Sequence, residues 1–386
     1  MSKGNRRKSL LRRGGMALLL SAAVVWHTVP AWGAQPAACS YGSGGEPFPC
    51  SDPYEHYQWA FANSGSLKLV TSNQNAVAGI DINMVSAWNA YESRGEKRSA
   101  VVALIDTGVD YTHPELSGAI WLNAGEVPQD GLDNDGNGYI DDALGWNFYS
   151  GNNLVFTGSD DNHGTHSAGT IAAARDGSGT VGICDPSYVK IMVLKTLGTA
   201  SGVGKASDVA AAIRYAEANG AVICNLSFGT DQYSEELYET MKNSEMLFVV
   251  AAGNGDESGL GYDIDQKPVY PAAFDLDNII SVASLRFDGT LDPASNYGAV
   301  GVDLAAPGSY ILSTTTGGNY SYMSGTSMAA PMVTGAAALL YSYDSALTPA
   351  EVKTRILAAV RPMEALYGKT ASGGMLDIGK ALGGIS

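Results

Sequence analysis

The chain has 386 residues, 45% hydrophobic and 16% charged, enough apolar material for one large core or two domains. Its formal net charge is −16; residues 1–13 hold six of the 23 basic residues and no acid, which leaves 17 basic against 39 acidic residues, or −22, for the rest. A body that acidic repels nucleic acid and anionic membrane surfaces, and both are excluded as partners.

In chain order, residues 1–34 read as a processing segment. The basic stretch precedes an apolar run from Met16 to Val25, then Pro30 and the small residues Ala31, Gly33 and Ala34. That is the form of a secretion signal. A membrane anchor needs about 20 apolar residues, and this run is shorter. Residues 35–51, rich in Ala, Gly, Pro and Ser, read as a short leader. Export would permit a disulfide loop between Cys39 and Cys50. Cys224 sits in the apolar run Ala221-Val222-Ile223-Cys224 and reads as a buried thiol. No Cys-x-x-Cys pair points to zinc.

From Asp52 to the end the chain reads as one folded domain. Ser86–Tyr91 is a short helix. Ser99–Ile105 is a continuous apolar run ending in Asp106-Thr107-Gly108, the pattern of a buried parallel strand with an acid at its carboxyl end. Ligand sites of open α/β sheets gather at that edge. Next comes Asp133-Asn134-Asp135-Gly136-Asn137-Gly138-Tyr139-Ile140-Asp141-Asp142. Oxygen side chains at alternate positions, with Gly between, wrap a loop around a hard cation. The pattern matches the first nine positions of an EF-hand calcium loop, but Leu144 stands where the twelfth-position Glu belongs, and no helix pair flanks it. The expectation is a calcium loop without an EF-hand, with Asp133, Asp135, Asn137, Tyr139 and Asp141 as ligands. It would pin an insertion of about 123–145. The plainer alternative is a solvated Asp/Asn/Gly-rich turn.

Asp161-Asn162-His163-Gly164-Thr165-His166 opens a helix of small residues, with His163 at its start and His166 on the same side. His-x-x-His lacks the Glu of the zinc-protease motif. Strands and helices then alternate: strand Val189–Leu194, helix Lys205–Asn219, strand Ala221–Leu226, helix Ser234–Ser244, strand Met246–Ala252 and strand Asn278–Ser284. This alternation predicts βαβ units, hence a three-layer, doubly wound, mostly parallel sheet with helices on both faces. Helices over Thr326–Tyr343 and Pro349–Val360, and a short one after Leu376, complete the chain. The first of these is almost wholly apolar and so buried. Its start, Ser324-Gly325-Thr326-Ser327-Met328, places a hydroxyl where free backbone N–H groups converge. Gly-Thr-Ser alone would only cap a core helix.

Together with the other motifs it does more. Ser327 is a poor nucleophile until a base takes its proton. His163 has the pKa range to take that proton and return it to a leaving amine, and Asp106 would fix the ring tautomer. Asn254, in Ala252-Gly253-Asn254, offers a side-chain N–H₂ which with the Ser327 backbone N–H would make an oxyanion hole. Asp106-Thr107-Gly108, His163-Gly164-Thr165-His166, Ala252-Gly253-Asn254 and Gly325-Thr326-Ser327-Met328-Ala329-Ala330-Pro331 resemble the subtilisin-like serine proteases, from about Asp52 to Leu382. The resemblance implies a secreted endopeptidase with a subtilisin-like fold, an Asp106–His163–Ser327 triad, Asn254 as oxyanion donor and polypeptide substrates. It also implies that Leu226, Ser227, Phe228 and Gly229 pair with an extended substrate, and that Ala251, Ala252 and Gly253 line the first specificity pocket. A monomer with structural calcium and no membrane span in the mature chain is expected.

Two departures qualify the resemblance. Such proteases are usually made with a folded pro-domain, and residues 35–51 are too few to form one. Val269, before Tyr270-Pro271, would reach the floor of the specificity pocket and disfavour large P1 side chains. Two other readings compete. One is a non-catalytic calcium-dependent binder, against which stands the complete catalytic set. The other is an acid protease with a Glu-Asp-Ser set, against which stands His163 in its motif.

Overall fold

The computed structural model describes residues 52–65, 76–199, 202–256 and 258–383, with the main chain of two short strands, Ala17–Leu18 and His27–Thr28. Apart from those two pairs, the expected signal segment and leader, with Cys39 and Cys50, lie outside the described residues.

The central sheet has nine strands: β1 (Ala100–Asp106), β2 (Gly145–Asn147), β3 (Val189–Lys195), β4 (Ile223–Leu226), β5 (Leu247–Ala251), β6 (Ile279–Leu285), β7 (Leu304–Pro307), β8 (Arg361–Pro362) and β9 (Gly374–Met375). Their spatial order is β8-β9-β7-β6-β5-β4-β1-β3-β2. Every neighbouring pair is parallel except β8–β9. The strand order reverses at β1: β3 lies on one side and β4 on the other. A crevice opens at the carboxyl ends of strands beside such a reversal.

Burial explains why β1 reads as an unbroken apolar run. Ala100, Val102 and Leu104 face one core while Ala103 and Ile105 face the other, and all are 0–1% exposed. Side chains alternate along a strand, so only a sheet covered on both faces buries consecutive residues. Burial of each Val, Leu or Ile contributes about 1.5–3 kcal/mol. The first face is covered by α1 (Met84–Ser93), α2 (Asn162–Ala172), α5 (Thr326–Tyr343), α6 (Pro349–Ala359) and α7 (Ile378–Gly383). The second is covered by α3 (Ala206–Ala218) and α4 (Glu235–Lys242). These are the three layers that the alternation predicts.

The helix expected over Ser234–Ser244 is shorter, because the Ser234 side chain accepts from Leu237 N–H and so caps the first turn. Not foreseen was the antiparallel hairpin of Ile311–Thr315 with Asn319–Met323, which packs on α2. Its Ser, Thr and Tyr residues give no apolar run, yet most are buried because α2 covers them.

Candidate active site

Asp106 ends β1 and is 1% exposed. Its Oδ1 accepts from the Thr107 N–H at 2.6 Å and from His163 Nδ1 at 2.7 Å. His163 is the second residue of α2. The two elements approach closely at Gly164, where an added Cβ would lie 2.1 Å from the Gly108 carbonyl oxygen. A side chain at that position would push the ring off the carboxylate. Because the carboxylate only accepts, Nδ1 carries the proton, and Nε2 of the neutral ring is a bare acceptor. That Nε2 is buried and has no partner in the structure.

Ser327 is the second residue of α5 and 2% exposed. Its N–H lies in the first turn, where no intrahelical carbonyl reaches it. Its hydroxyl donates to the Ser227 carbonyl at 2.9 Å, and the Ser227 hydroxyl donates back to the Ser327 carbonyl at 3.2 Å. β4 pairs with β1 in a register that sets Leu226 against Ile105. Ser227 follows Leu226, so Ser327 is anchored at the end of the strand that neighbours the one carrying Asp106.

Asn254 lies just beyond β5. Its Oδ1 accepts from the Thr326 N–H at 2.9 Å and from the Thr326 hydroxyl at 3.2 Å. A backbone N–H can only donate, which fixes the carboxamide with its NH₂ on the other side. Gly325 allows this approach: its φ of 143° suits glycine, and an added Cβ would sit 3.0 Å from Asn254 Nδ2. A cavity of about 290 Å³ opens beside Asn254, lined also by Ser324, Gly325, Ser309 and Arg286.

Leu226, Ser227 and Phe228 are buried, and so are Ala251, Ala252 and Gly253. Val269 stands between these two segments. Its Cγ1 lies 2.7 Å from an added Cβ on Gly229 and 3.4 Å from one on Gly253. His166 donates from Nε2 to the Ile311 carbonyl at 2.9 Å, and burial pulls its pKa down to about 4. It ties α2 to the hairpin. Cys224 is fully buried, as expected, and burial pushes its thiol pKa up.

Asp133, Asp135 and Glu126 bring one carboxylate oxygen each within 4.8 Å of one another. Asn137 donates to Asp135 and to Asp142. Asp141 turns away. Its left-handed backbone (φ 55°) gives its N–H to Glu126 and points its carboxylate at the N–H groups of Asp130 and Gly131. Glu126 precedes the repeating motif, so the pattern could not flag it. A second cluster, Asp52, Glu115 and Asp176, has the same compactness. Burial pushes Glu115 up to about 7, and its Oε2 has no partner. These three residues come from separate parts of the chain, which hides them from a sequence reading.

Comparison with known proteins agrees with this architecture. A subtilisin-like protease of Plasmodium berghei is 32% identical over 322 residues, 79% of this chain and 53% of its own length. A thermophilic serine proteinase of Bacillus sp. (strain AK1) is 38% identical over 260 residues, 66% of this chain and 55% of its own. The chain thus spans about half the length of these curated relatives. A solved protease structure from Pseudoalteromonas arctica superposes with a TM-score of 0.63 at 26% identity, covering 86% of this chain and 98% of that one. The family model for subtilases matches residues 97–376, and the chain belongs to the subtilase family.

Proposed function

We propose that the chain is a serine endopeptidase that cleaves polypeptides through an acyl-enzyme, with Asp106, His163 and Ser327 as triad. The observation that carries this reading is the buried Asp106–His163 pair with its unpartnered Nε2, next to the strand whose end anchors Ser327 through Ser227. Rotation about χ1 of Ser327 frees its Oγ from the Ser227 carbonyl and turns it toward Nε2. His163 then takes the proton as Oγ attacks the substrate carbonyl, and returns it to the leaving amine. Asp106 stabilises the imidazolium in between. Asn254 Nδ2 and the Ser327 N–H stabilise the oxyanion. The segments Leu226–Gly229 and Ala251–Gly253 flank the acylated residue. Val269 fills the space between them, so small P1 side chains are preferred.

Calcium fits the all-carboxylate cluster of Glu126, Asp133 and Asp135, and the cluster of Asp52, Glu115 and Asp176, because hard cations take oxygen donors. Its role there is to hold loops together. Residues 1–34 direct export, supported by their basic-then-apolar sequence. The test is digestion of a peptide library by the full chain and by Ser327→Ala. The parent cleaves, and the variant loses about 10⁴-fold or more of the rate. Equal cleavage by both contradicts the reading.

A further inference from the structure

Behind the Asp106–His163 pair lies a second pair that the reaction as described does not use. Lys195 ends β3 directly opposite Asp106 and is 3% exposed. Its Nζ donates to Asp161 Oδ1 at 2.5 Å and to the carbonyl of Thr107, the residue after Asp106. Asp161 is fully buried and immediately precedes α2, two residues before His163. Its Oδ2 accepts from the N–H and hydroxyl of Thr157, and its carbonyl accepts from the Thr165 hydroxyl. Across the same junction the Gly164 N–H donates to the Thr107 hydroxyl at 3.1 Å. One ammonium therefore joins the end of the strand that carries the acid to the start of the helix that carries the base.

We infer that Lys195 and Asp161 are positioning residues for the Asp106–His163 pair, and that each of the two charges offsets the pull of the other on the His163 ring. The inference rests on the protease reading above. The charged and titratable groups on the elements packed against α2 are few. β1 offers Asp106. β3 offers Lys195 and Lys190, the latter bonded to the carbonyls of Gly118 and Pro186. The 3-10 turns bring Glu115, bonded to Tyr320, then Asp160, which is exposed, and Asp161. α2 itself adds His166. The hairpin strand Ile311–Thr315 brings no titratable group, and α5 brings only Tyr341 and Tyr343, both beyond its first four turns. The loop after β1 adds the buried Asp110, whose N–H donates to the Thr165 hydroxyl and whose carboxylate accepts from Thr112 and the Gly317 N–H. Lys195 and Asp161 are the buried pair that joins the residue after Asp106 to the start of α2.

Paired, they nearly cancel. Unpaired, each acts on the imidazolium with opposite sign. Removing Lys195 leaves the Asp161 carboxylate, still held by Thr157, which favours protonated His163. Removing Asp161 leaves the ammonium, still held by the Thr107 carbonyl, which disfavours it. The acid limb of the kcat/KM profile reads the base in the free enzyme. In Lys195→Met it moves to higher pH, and in Asp161→Asn to lower pH, each by about half a unit or more. The double variant returns toward the parent value. A merely structural pair lowers the amount of active enzyme, measured by active-site titration, without moving the limb in opposite directions.

The experiment measures these profiles on the full chain for the parent, the three variants, Lys195→Arg and Ser327→Ala. Opposed shifts in the two single variants, with Lys195→Arg close to the parent, support the inference. Limbs that stay within 0.1 unit of the parent, or that move the same way, overturn it while the protease reading stands. If Lys195→Met does not fold, Asp161→Asn and Lys195→Arg decide: an unmoved limb in the first, or a shifted limb in the second, counts against. A parent no faster than Ser327→Ala removes the protease reading, and this inference with it.

Discussion

At the strand ends the groups that meet come from far apart. Asp106 and His163 are 57 residues apart, and Ser327 is held by Ser227, 100 residues away. In the insertion, the carboxylates of Asp130, Asp133, Asp135 and Asp141 accept from N–H groups only 2 to 11 residues away. The strand-end groups are 1–7% exposed. The insertion is largely exposed, and its clustered acids repel one another unless backbone donors or a cation offset them. The first region is set by the whole core and the second by its own turns. Substitutions of the catalytic groups in the first should act mainly on chemistry, and substitutions of the acids in the second mainly on stability.

The largest effect that would sharpen the contrast is at Asn254. Asn254→Leu lowers kcat by about 10²–10³-fold, the scale known for an oxyanion donor, with KM little changed. A change in KM alone would move Asn254 out of the oxyanion role. Next is Val269→Gly, which opens the space between Gly229 and Gly253. It raises kcat/KM for peptides with Phe or Leu at P1 relative to Ala by about 10–100-fold. An unchanged ratio in a competition assay would show that Val269 does not shape the pocket.

In the insertion, Glu126→Gln weakens calcium binding, while Asp141→Asn leaves it near the parent value. Calcium at about 100 times its Kd stabilises by about 2.7 kcal/mol, so chelation lowers the parent Tm by several degrees, and Glu126→Gln loses most of that difference. Melting curves with calcium and with chelator decide; a larger loss in Asp141→Asn than in Glu126→Gln would restore the expected ligand set. The last effect is a pH dependence on the strand-end side. His166 falls from its usual 6.5 to about 4 on burial, so the unfolded chain binds the extra proton between those values. Its contribution is full above pH 6.5 and is lost as the pH falls toward 4, about 3 kcal/mol in all. The stability difference between parent and His166→Asn, from urea unfolding, should shrink over that range. A constant difference would contradict it.

The sheet, the long helices and the four motifs were legible because each writes a local signature: unbroken apolar runs for β1, β4 and β5, and small residues beside His163 and Ser327. The hairpin at Ile311–Met323 was not legible, because its polar residues are buried by segments far away in the chain: α2 covers Ile311–Thr315, and Tyr320 packs on Tyr54 and His113. Lys195 and Asp161 stayed hidden for a similar reason. A lysine ending an apolar strand looks solvated until the fold closes over it. The acidic insertion was legible as a spacing, but spacing does not encode φ. The left-handed turn at Asp141 and the approach of Glu126 are conformational facts that the pattern cannot carry.

The central claim is that Ser327 is made nucleophilic by His163. The most direct measurement is peptide mapping by mass spectrometry after treating the full chain with a serine-directed phosphonate. The account predicts one adduct on the peptide that contains Ser327, formed in the parent and lost in His163→Ala. Peptide cleavage without an adduct on that peptide, or an equally fast adduct in His163→Ala, would contradict it.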